Sequence, residues 1–385
     1  MKIEYTARDH VRDVIQSLGR TEDIRFSPSG RRLAVAAFHR NRIAVVDIDV
    51  TRVRDTGTVS LTGAVEIASP SLNYPHGLDF IDDETLVVAS RMGGLSIFDV
   101  PVDETAREPH ELSPVQLVRA DRAPLLESPG SVVVVRSDQV CELLVCNNSG
   151  NSVTRHLVDR GTDCAVTGGE VLLRKWINLP DGIGLSHDRR WIAISNHNTH
   201  NVLVYEWSER LGAESKPDGV LRGLYFPHGL RFTADDRHLL VADAGAPFIH
   251  VYTRGDEGWH GARYPARSIR VMDEALFLRG RGDPQEGGPK GIDIDHGMNI
   301  LAATSEHQSL LFLDLPALLR DLPAAPAVES VEYEFGILQQ AEQLRLKVHD
   351  AEARAAKAEH RLLKRKAKWL PKPLRRLYSA WKPAN

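Results

Sequence analysis

Six positions, each at the same place in a repeated segment, combine residue types that can bind a metal ion or a polar ligand. These positions are Glu22, His76, Pro129, Asp181, His228 and Lys290, with spacings of 54, 53, 52, 47 and 62 residues. Imidazole and carboxylate groups are ordinary ligands of zinc, manganese and calcium. The candidate ligands of one divalent metal ion are therefore Glu22, His76, Asp181 and His228. Lys290 suits an anionic or polyhydroxylated ligand as well as it suits a salt bridge.

The segments that carry these positions have the pattern of β-strands. Each begins with a short loop, usually Pro-x-Gly, and continues with an apolar-alternating strand, a tight turn, a second strand and in most copies a third. Such period-two alternation is typical of strands. Three or four strands in roughly 50 residues make a propeller blade. We therefore predict an all-β, six-bladed β-propeller over residues 1–320, closed by the strand-like segment MKIEYT. A seventh, degenerate blade and an open β-solenoid are the alternatives.

The propeller fold brings the Pro-x-Gly loops together on one face, because the first strand of each blade lies nearest the axis. The loops between the second and third strands reach the same face. Together these loops supply the candidate ligand-binding residues Lys290, Asn147, Asn196, His197, Asp243 and His307. A wet funnel, in which polar side chains merely satisfy the backbone and water, is the alternative. The turns on the opposite face are Asp-rich and need no function beyond turning.

Composition suggests where the protein works. The chain has 385 residues, 42% hydrophobic and 26% charged. No apolar run approaches the roughly 20 residues that cross a bilayer, and the first residues are too polar for a signal peptide. Three cysteines, Cys141, Cys146 and Cys164, do not indicate a disulfide framework. Together these features predict a cytoplasmic protein.

On the blade motif, over about residues 20–316, the sequence resembles the SMP-30/gluconolactonase-like propellers and, more loosely, the YVTN-type lactonase-like propellers. In the SMP-30-like family a first-blade Glu and Asn and Asp residues at Pro-x-Gly positions hold a divalent metal, and the Asp is the base in lactone hydrolysis. The resemblance implies that Glu22 and Asp181, in LPDGIGL, are metal ligands and that Asp181 is the catalytic base. Pro129 stands where the family has Asn.

Other catalytic motifs find no support in the sequence. Ser195 and His197 lie two residues apart in SNHN, but no Gly-x-Ser-x-Gly elbow surrounds the serine. There is no P-loop and no dinucleotide fingerprint, so nucleotide chemistry is not indicated.

The pattern changes after a Pro/Ala-rich linker at residues 321–330. From Ile337 onward apolar residues recur with the 3.5-residue period of a coiled coil, which predicts a coiled-coil helix over residues 331–368. In a parallel pair of helices, Lys347 and Arg354 would face acidic residues of the second copy. The pattern therefore favours parallel self-association, and a single helix on the rim of the propeller is the alternative.

Residues 369–385 have the composition of a basic, aromatic, amphipathic tail. Between Arg361 and Lys382 there are nine Lys and Arg and no Asp or Glu, although the whole chain has a net charge of −4. Basic and aromatic side chains together favour an anionic membrane surface. The candidate membrane-contact residues are Lys368, Trp369, Arg375, Arg376, Tyr378 and Trp381. A membrane-bound protein partner is the alternative, whereas the acidic remainder of the chain disfavours nucleic acid.

Two functions are consistent with these features. The first is an oligomeric propeller on the inner face of the cytoplasmic membrane that binds a small polar or carbohydrate-like ligand at its axis. Because the tail is similar to those of bacterial surface-polysaccharide enzymes, such a protein would be an accessory or scaffold in surface-glycan assembly. The second function is a lactone or ester hydrolase that depends on one divalent ion of calcium, zinc or manganese.

Overall fold

The computed structural model describes residues 2–53, 56–102, 108–119, 125–137, 140–161, 163–282 and 286–323, and the single residues Lys347, Ala351, Arg354 and Ala355. Within these ranges the strands form six sheets of four to six strands. Each sheet is one blade, so the prediction of a six-bladed β-propeller is confirmed.

The strands in chain order are β1 (Lys2–Ile3), β2 (Tyr5–Ala7), β3 (Thr21–Phe26), β4 (Arg32–Ala37), β5 (Arg42–Val53), β6 (Thr56–Ala68), β7 (Pro75–Phe80), β8 (Thr85–Ser90), β9 (Gly94–Asp99), β10 (His110–Glu111), β11 (Gln116–Val118), β12 (Pro129–Val135), β13 (Val140–Asn147), β14 (Ser152–Asp159), β15 (Ala165–Leu173), β16 (Pro180–Leu185), β17 (Trp191–Asn196), β18 (Asn201–Glu206), β19 (Gly219–Leu221), β20 (Pro227–Phe232), β21 (His238–Asp243), β22 (Phe248–Thr253), β23 (Gly261–Arg263), β24 (Arg267–Arg270), β25 (Pro289–Asp295), β26 (Ile300–Ser305) and β27 (Leu311–Asp314). The helices are α1 (Asp9–Ser17), α2 (Glu274–Gly280) and α3 (Leu315–Leu319).

The first strands of the blades form a closed ring around the axis. Blades 1 to 6 begin with β3, β7, β12, β16, β20 and β25, and each of these strands contacts the first strand of the next blade, with β25 returning to β3. Within a blade the following strands pair antiparallel and lie progressively further from the axis, except that the outermost strands β10 of blade 1 and β23 of blade 4 pair parallel. The residues at the start of the first strands therefore meet at one end of the axis.

The N-terminal segment joins the last blade to the first. Strand β1 pairs antiparallel with β27, with Ile3 opposite Phe312, and β2 runs parallel to β6 of blade 1. Helix α1 adds to this closure, because its buried Val11 and Ile15 pack in one hydrophobic cluster with Leu33 of blade 1 and Phe312 of blade 6. The expected ring closure by the N-terminal strand is present, although only Lys2 and Ile3 pair with blade 6.

The apolar residues of the alternating strands are buried between neighbouring blades. In one such cluster Ala36 and Ile43 of blade 1 pack against Leu78, Phe80 and Leu86 of blade 2. Removal of this apolar surface from water is the main favourable term in holding the blades together.

The glycine of the Pro-x-Gly loops has a packing role. A Cβ atom on Gly182 would lie 2.0 Å from the backbone oxygen of His228, and one on Gly291 would lie 2.6 Å from the Cα of Asp23. Only a residue without a side chain lets the first strands approach this closely. The close approach brings the side chains that precede these glycines together at the axis.

The chain divides into two units, Met1–Val331 and Glu332–Asn385. In the second unit Lys347, Ala351, Arg354 and Ala355 are described, and each is helical and exposed. The remaining tail residues, including all candidate membrane-contact residues, lie outside the described ranges. The coiled coil, the amphipathic tail and the domain limits stay predictions. In the described part of the chain no helix is both long and apolar enough to span a membrane.

Candidate functional site

A cluster of buried polar side chains occupies the axis where the first strands begin. This axial cluster consists of Glu22, His76, Asp181, His197, His228, Glu286 and Lys290, whose exposed fractions range from 0% to 8%. All four predicted metal-binding residues belong to it, as do Lys290 and His197 from the predicted ligand-binding set. The cluster is more enclosed than an open funnel, and Arg20, Arg91 and Glu306 at its mouth are partly exposed.

Blade 3 contributes to the axis in a different way from the one expected. Pro129 lies opposite Asn147, just as Pro180 lies opposite Asn196 in blade 4. The equivalent of Asp181 is therefore Gly130, and the assignment of Pro129 to this position was wrong by one residue. Blade 3 begins with Ser-Pro-Gly, so its glycine takes the place of the variable residue.

Asn148 fills the space that Gly130 leaves at the axis. A Cβ atom on Gly130 would lie 2.2 Å from Oδ1 of Asn148. The Nδ2 of Asn148 donates hydrogen bonds of 2.8 Å to Oδ1 of Asp181 and to the backbone oxygen of Pro180. An asparagine thus reaches the axial cluster from the loop after β13.

Two carboxylates of the cluster are bound by two cations, the buried Lys290 and the partly exposed Arg20. Lys290 Nζ donates to Glu286 Oε2 at 2.5 Å and to Glu22 Oε1 at 3.2 Å. Arg20 also donates to both carboxylates, through Nε to Glu22 and through Nη2 to Glu286 at 2.9 Å. Burial by itself would raise the pKa of Glu22, but Lys290, His228 and Arg20 together lower it well below its ordinary range. Burial would also raise the pKa of Glu286, but Lys290, His197 and His228 together lower it below its ordinary value.

Asp181 is held as an ionised carboxylate. Its Oδ1 accepts hydrogen bonds from Arg91 Nη2 at 3.0 Å and from Asn148 at 2.8 Å. Burial opposes ionisation, but His228 and Arg91 lower the pKa of Asp181 far below its ordinary value. A general base works best when its pKa lies near the operating pH. Asp181 is therefore always available as a base in this arrangement, but it is a weak one.

Two of the three histidines of the cluster, His76 and His228, differ in protonation. His76 Nδ1 bonds to the backbone oxygen of Gly130 at 2.5 Å, and its Nε2 bonds to Arg91 Nη2 at 2.7 Å. Arginine can only donate, so Nε2 is the acceptor and the ring is neutral. Burial and the positive charge of Arg91 lower the pKa of His76 to about 3.

His228 lies between two carboxylates and stacks on the ring of His76 at a centroid distance of 5.2 Å. Its Nε2 is 3.3 Å from Glu22 Oε2 and 3.6 Å from Asp181 Oδ2. Burial would lower the pKa of His228, but Asp181 and Glu22 raise it above its ordinary value. The protonated ring can donate to either carboxylate.

Two groups of three side chains in the cluster could hold a metal ion: Glu22, His76 and His228, and Asp181, His197 and Glu286, each with ligand atoms within 4.8 Å of one another. In the first group Glu22 Oε2 is 3.5 Å from His76 Nε2 and 3.3 Å from His228 Nε2. A tetrahedral zinc ion with bonds of about 2.0–2.1 Å separates its ligands by about 3.3 Å. The bond from His76 Nδ1 to a carbonyl oxygen is also usual for a metal-binding histidine. However, Arg91 occupies the lone pair of His76 Nε2 and would have to move.

Among the described residues, several buried polar atoms in and beside the cluster form no hydrogen bond of good geometry. They are Glu22 Oε2, His228 Nε2, both ring nitrogens of His197, Asn148 Oδ1 and Arg91 Nε, although Glu22 Oε2 and His228 Nε2 lie 3.3 Å apart and His197 Nε2 lies 3.3 Å from Glu286 Oε1. Buried polar atoms in native proteins are almost always paired, with protein, water, an ion or a ligand. Their concentration at one place makes the axial cluster a candidate binding site.

Three predicted ligand-binding residues form hydrogen bonds with the backbone of a nearby loop in their own blade. Asn147 Oδ1 accepts from the N–H of Glu127, and Asn196 bonds to the backbone of Trp176 and Asn178. Asp243 accepts three backbone N–H groups, from Tyr225, Phe226 and Gly245. Each residue ends the second strand of its blade and ties down the loop that precedes the first strand. The structure therefore places them outside the axial cluster.

His307 also lies apart from the cluster. Its side chain is at the surface, where Nε2 is 3.3 Å from the backbone oxygen of Arg279. Sequence reasoning did not single out Arg20, Arg91 or Glu286, although they make the strongest charge contacts of the site. Arg20 and Glu286 lie in loops before first strands, and Arg91 follows β8, so none occupies a position that recurs from blade to blade.

The closed ring of six blades with a polar cluster on its axis makes this protein a six-bladed β-propeller. Residues 6–155, less than half of the chain, match the family described as the Lipoprotein LpqB beta-propeller domain (Gmad1). Among solved structures, a luciferin-regenerating enzyme has a similar fold, with a TM-score of 0.52 and 9% identity, covering 81% of this chain and 96% of that one. No curated protein matches the sequence. At this identity the likeness shows the fold alone, and the resemblance to the SMP-30/gluconolactonase-like family is not confirmed.

Proposed function

We propose that the axial cluster binds a small, neutral, polyhydroxylated molecule of the carbohydrate type. The concentration of unpartnered buried donors and acceptors carries this proposal. A hydroxyl group both donates and accepts, so neighbouring hydroxyls can bond to Glu22 Oε2, to protonated His228 and to Asn148 Oδ1. Concave sites with a few convergent polar groups are the usual sites of small-molecule binding.

The charge balance of the cluster supports a neutral ligand. Four carboxylates, those of Glu22, Asp181, Glu286 and Glu306, are matched by four cations, Arg20, Arg91, Lys290 and protonated His228. A neutral molecule leaves this balance unchanged. A divalent ion would add buried charge without a matching carboxylate, which is costly in a site of low dielectric.

Aromatic side chains beside the mouth add an apolar component to this site. Tyr74 packs against Phe38, which contacts the ring of His76. Tyr225 packs against Phe226, which lies 4.6 Å from the ring of His197. Both tyrosines are exposed. Aromatic rings beside polar groups suit a ligand with both hydroxyl groups and apolar ring faces.

The test is a binding screen with the full chain against monosaccharides, sugar alcohols and their lactones, by thermal shift and then calorimetry. His228→Asn removes a donor between Glu22 and Asp181 and should weaken binding about ten-fold or more. The matched control is His238→Asn. His238 lies at the start of β21 and bonds to Thr253 of β22. The proposal is wrong if no such compound binds, or if the two variants affect binding equally.

A metal-dependent lactone or ester hydrolase is the second candidate, favoured by the spacing of Glu22, His76 and His228. A bound divalent ion would polarise a carbonyl group or lower the pKa of a water molecule. Asp181 lies beside the three ligands and would hold or accept a proton. Elemental analysis of purified protein for zinc, manganese and calcium tests this function, with Glu22→Gln as the variant that should lose metal. Protein that carries no metal and binds none tightly would exclude it.

We also propose that the tail attaches the propeller to an anionic membrane surface and that the helical segment pairs two or more copies in parallel. The nine basic residues between Arg361 and Lys382 support the first part, and an accessory role in surface-glycan assembly would follow from both. Deletion of residues 364–385 should abolish flotation with anionic vesicles, and deletion of 331–385 should give a monomer by light scattering. Unchanged flotation or unchanged mass would refute the corresponding part.

A further inference from the structure

A second cavity lies at the other end of the propeller axis. Its volume is about 310 Å³. The residues that line it include Arg25, Asp79, Arg231 and Asp293, each three positions after an axial-cluster residue on the same first strand. Because a strand rises about 3.3 Å per residue, these side chains lie about 10 Å further along the axis. We refer to this space as the opposite cavity.

Arg25 is buried in this region with few hydrogen bonds. Its exposed fraction is 3%, and its one hydrogen bond runs from Nη2 to the backbone oxygen of Val132 at 3.4 Å. The nearest carboxylate oxygens, of Asp23, Asp79 and Asp293, lie 3.6, 3.8 and 4.0 Å from its nitrogens. These distances exceed a hydrogen bond. The Nη1 group is buried and has no partner, although a guanidinium group offers five N–H donors.

Two further arginines line the cavity and keep an unpartnered nitrogen. Arg231 donates from Nε to Asp293 at 2.7 Å, but its Nη2 has no partner. Arg136 donates from Nη2 to Asp79 at 3.0 Å, but its Nε has none. Within the described residues, three guanidinium groups at one cavity therefore each keep a nitrogen without a hydrogen bond, although Arg25 Nη1 and Arg231 Nη2 lie 3.6 and 3.9 Å from Asp23 Oδ1.

The carboxylates nearby are already bound to the backbone. Asp79 accepts from the N–H groups of Phe80 and Val134, and Asp293 accepts from Phe26 N–H at 2.7 Å. These bonds join the first strands of neighbouring blades, so the carboxylates have a structural role. Burial raises the pKa of Asp23 to about 6 and also raises that of Asp293.

We propose that the opposite cavity binds a small oxyanion, a carboxylate or a phosphate, through Arg25, Arg136 and Arg231. A guanidinium group matches such oxygens with two parallel hydrogen bonds, and charge-assisted bonds of this kind are the strong ones. The cavity has the size of a small-ligand pocket. The proposal is independent of the axial cluster, which lies at the other end of the first strands.

The experiment is calorimetry on the full chain with inorganic phosphate and, separately, with succinate, which distinguishes the two oxyanions. Arg136→Gln is the main variant because this side chain is 40% exposed, and it should weaken binding about ten-fold or more. The matched control is Arg190→Gln, which removes an exposed arginine paired with Glu206 outside the cavity. His228→Asn in the axial cluster should leave the affinity unchanged.

A second measurement locates the anion without any variant. In methyl-labelled protein, the resonances of Ile183 and Ile294, which line the cavity, should shift when phosphate or succinate is added. Ile67, in the core between blades 1 and 2, should not shift. The proposal is overturned if neither anion binds at tens of millimolar or if binding does not shift Ile183 and Ile294. It is also overturned if Arg136→Gln weakens binding no more than Arg190→Gln does.

Discussion

Replacing Lys290 with methionine tests whether buried ion pairs organise the axial cluster. The Lys290 side chain has an exposed fraction of 0%, and its ammonium lies 2.5 Å from Glu286 and 3.2 Å from Glu22. Methionine has a similar volume and no charge, so Lys290→Met removes the cation with little change in packing. Glu22 then keeps Arg20 and protonated His228 as charged partners, and Glu286 keeps Arg20.

The expected loss of stability follows from this geometry. Removing one partner of a buried ion pair costs about 3–5 kcal/mol. Because Arg20 still donates to both carboxylates, we expect a value near the lower end, about 3 kcal/mol. For a propeller of about 320 residues the entropy of unfolding is about 0.7 kcal/mol/K, so 1 kcal/mol corresponds to about 1.5 °C in melting temperature. The melting temperature should therefore fall by about 4–5 °C.

The matched control is Lys175→Met. Lys175 forms an ion pair with Glu214 at the same distance of 3.2 Å, but the two side chains are 46% and 79% exposed. Exposed pairs contribute at most about 1 kcal/mol, so this variant should melt close to the wild type. Calorimetric melting of both variants measures the difference. Equal melting temperatures for Lys290→Met and Lys175→Met would refute the argument from burial.

Three further predictions concern acid stability, the axial asparagine and the strand-end residues. Burial lowers the pKa of His76 to about 3, whereas its unfolded value is about 6.5. The contribution of neutral His76 to the free energy of unfolding should therefore be fully present above pH 6.5 and be lost as the pH decreases. In urea unfolding between about pH 6.5 and 4, His76→Gln should reduce the dependence of the free energy of unfolding on pH by up to about 1.4 kcal/mol per pH unit, and an unchanged dependence would contradict this. Gly130→Ala places a Cβ where Asn148 lies and should weaken binding of any axial ligand, as measured by calorimetry. The metal content of the purified variant should equal that of the wild type. Asp243→Ala leaves three backbone N–H groups without an acceptor and should lower the free energy of unfolding by about 2–4 kcal/mol, while the exposed Asp256→Ala should not change it.

The sequence was sufficient to predict the fold and the convergence of five side chains. The Pro-x-Gly repeat marks the start of each first strand, and the closed ring brings all starts to one point. Glu22, His76, Asp181, His228 and Lys290 could therefore be placed together from their spacing. A repeated sequence motif predicts the positions of side chains well when it also fixes where each strand starts and in which direction it runs.

Residues in loops could not be placed in the same way. Asn147 and Asn148 are adjacent, yet the first binds the loop of its own blade and the second reaches Asp181. The order of the two amides does not reveal which one faces the axis, because that depends on the backbone turn after β13. The opposite cavity could not be predicted for another reason, since Arg25 and Arg231 lie inside the first strands and not in the Pro-x-Gly loops that mark where these strands start.

The two ends of the axis differ in what their charged groups lack. In the axial cluster the cations have short contacts, as in the 2.5 Å bond from Lys290 to Glu286, and unpartnered donors lie beside unpartnered acceptors. In the opposite cavity Arg25 stands 3.6–4.0 Å from three carboxylates, and guanidinium nitrogens there remain unpartnered. A neutral polyol satisfies the first set because it offers both donors and acceptors. An oxyanion satisfies the second because it offers acceptors alone, so the two ends should select ligands of different charge.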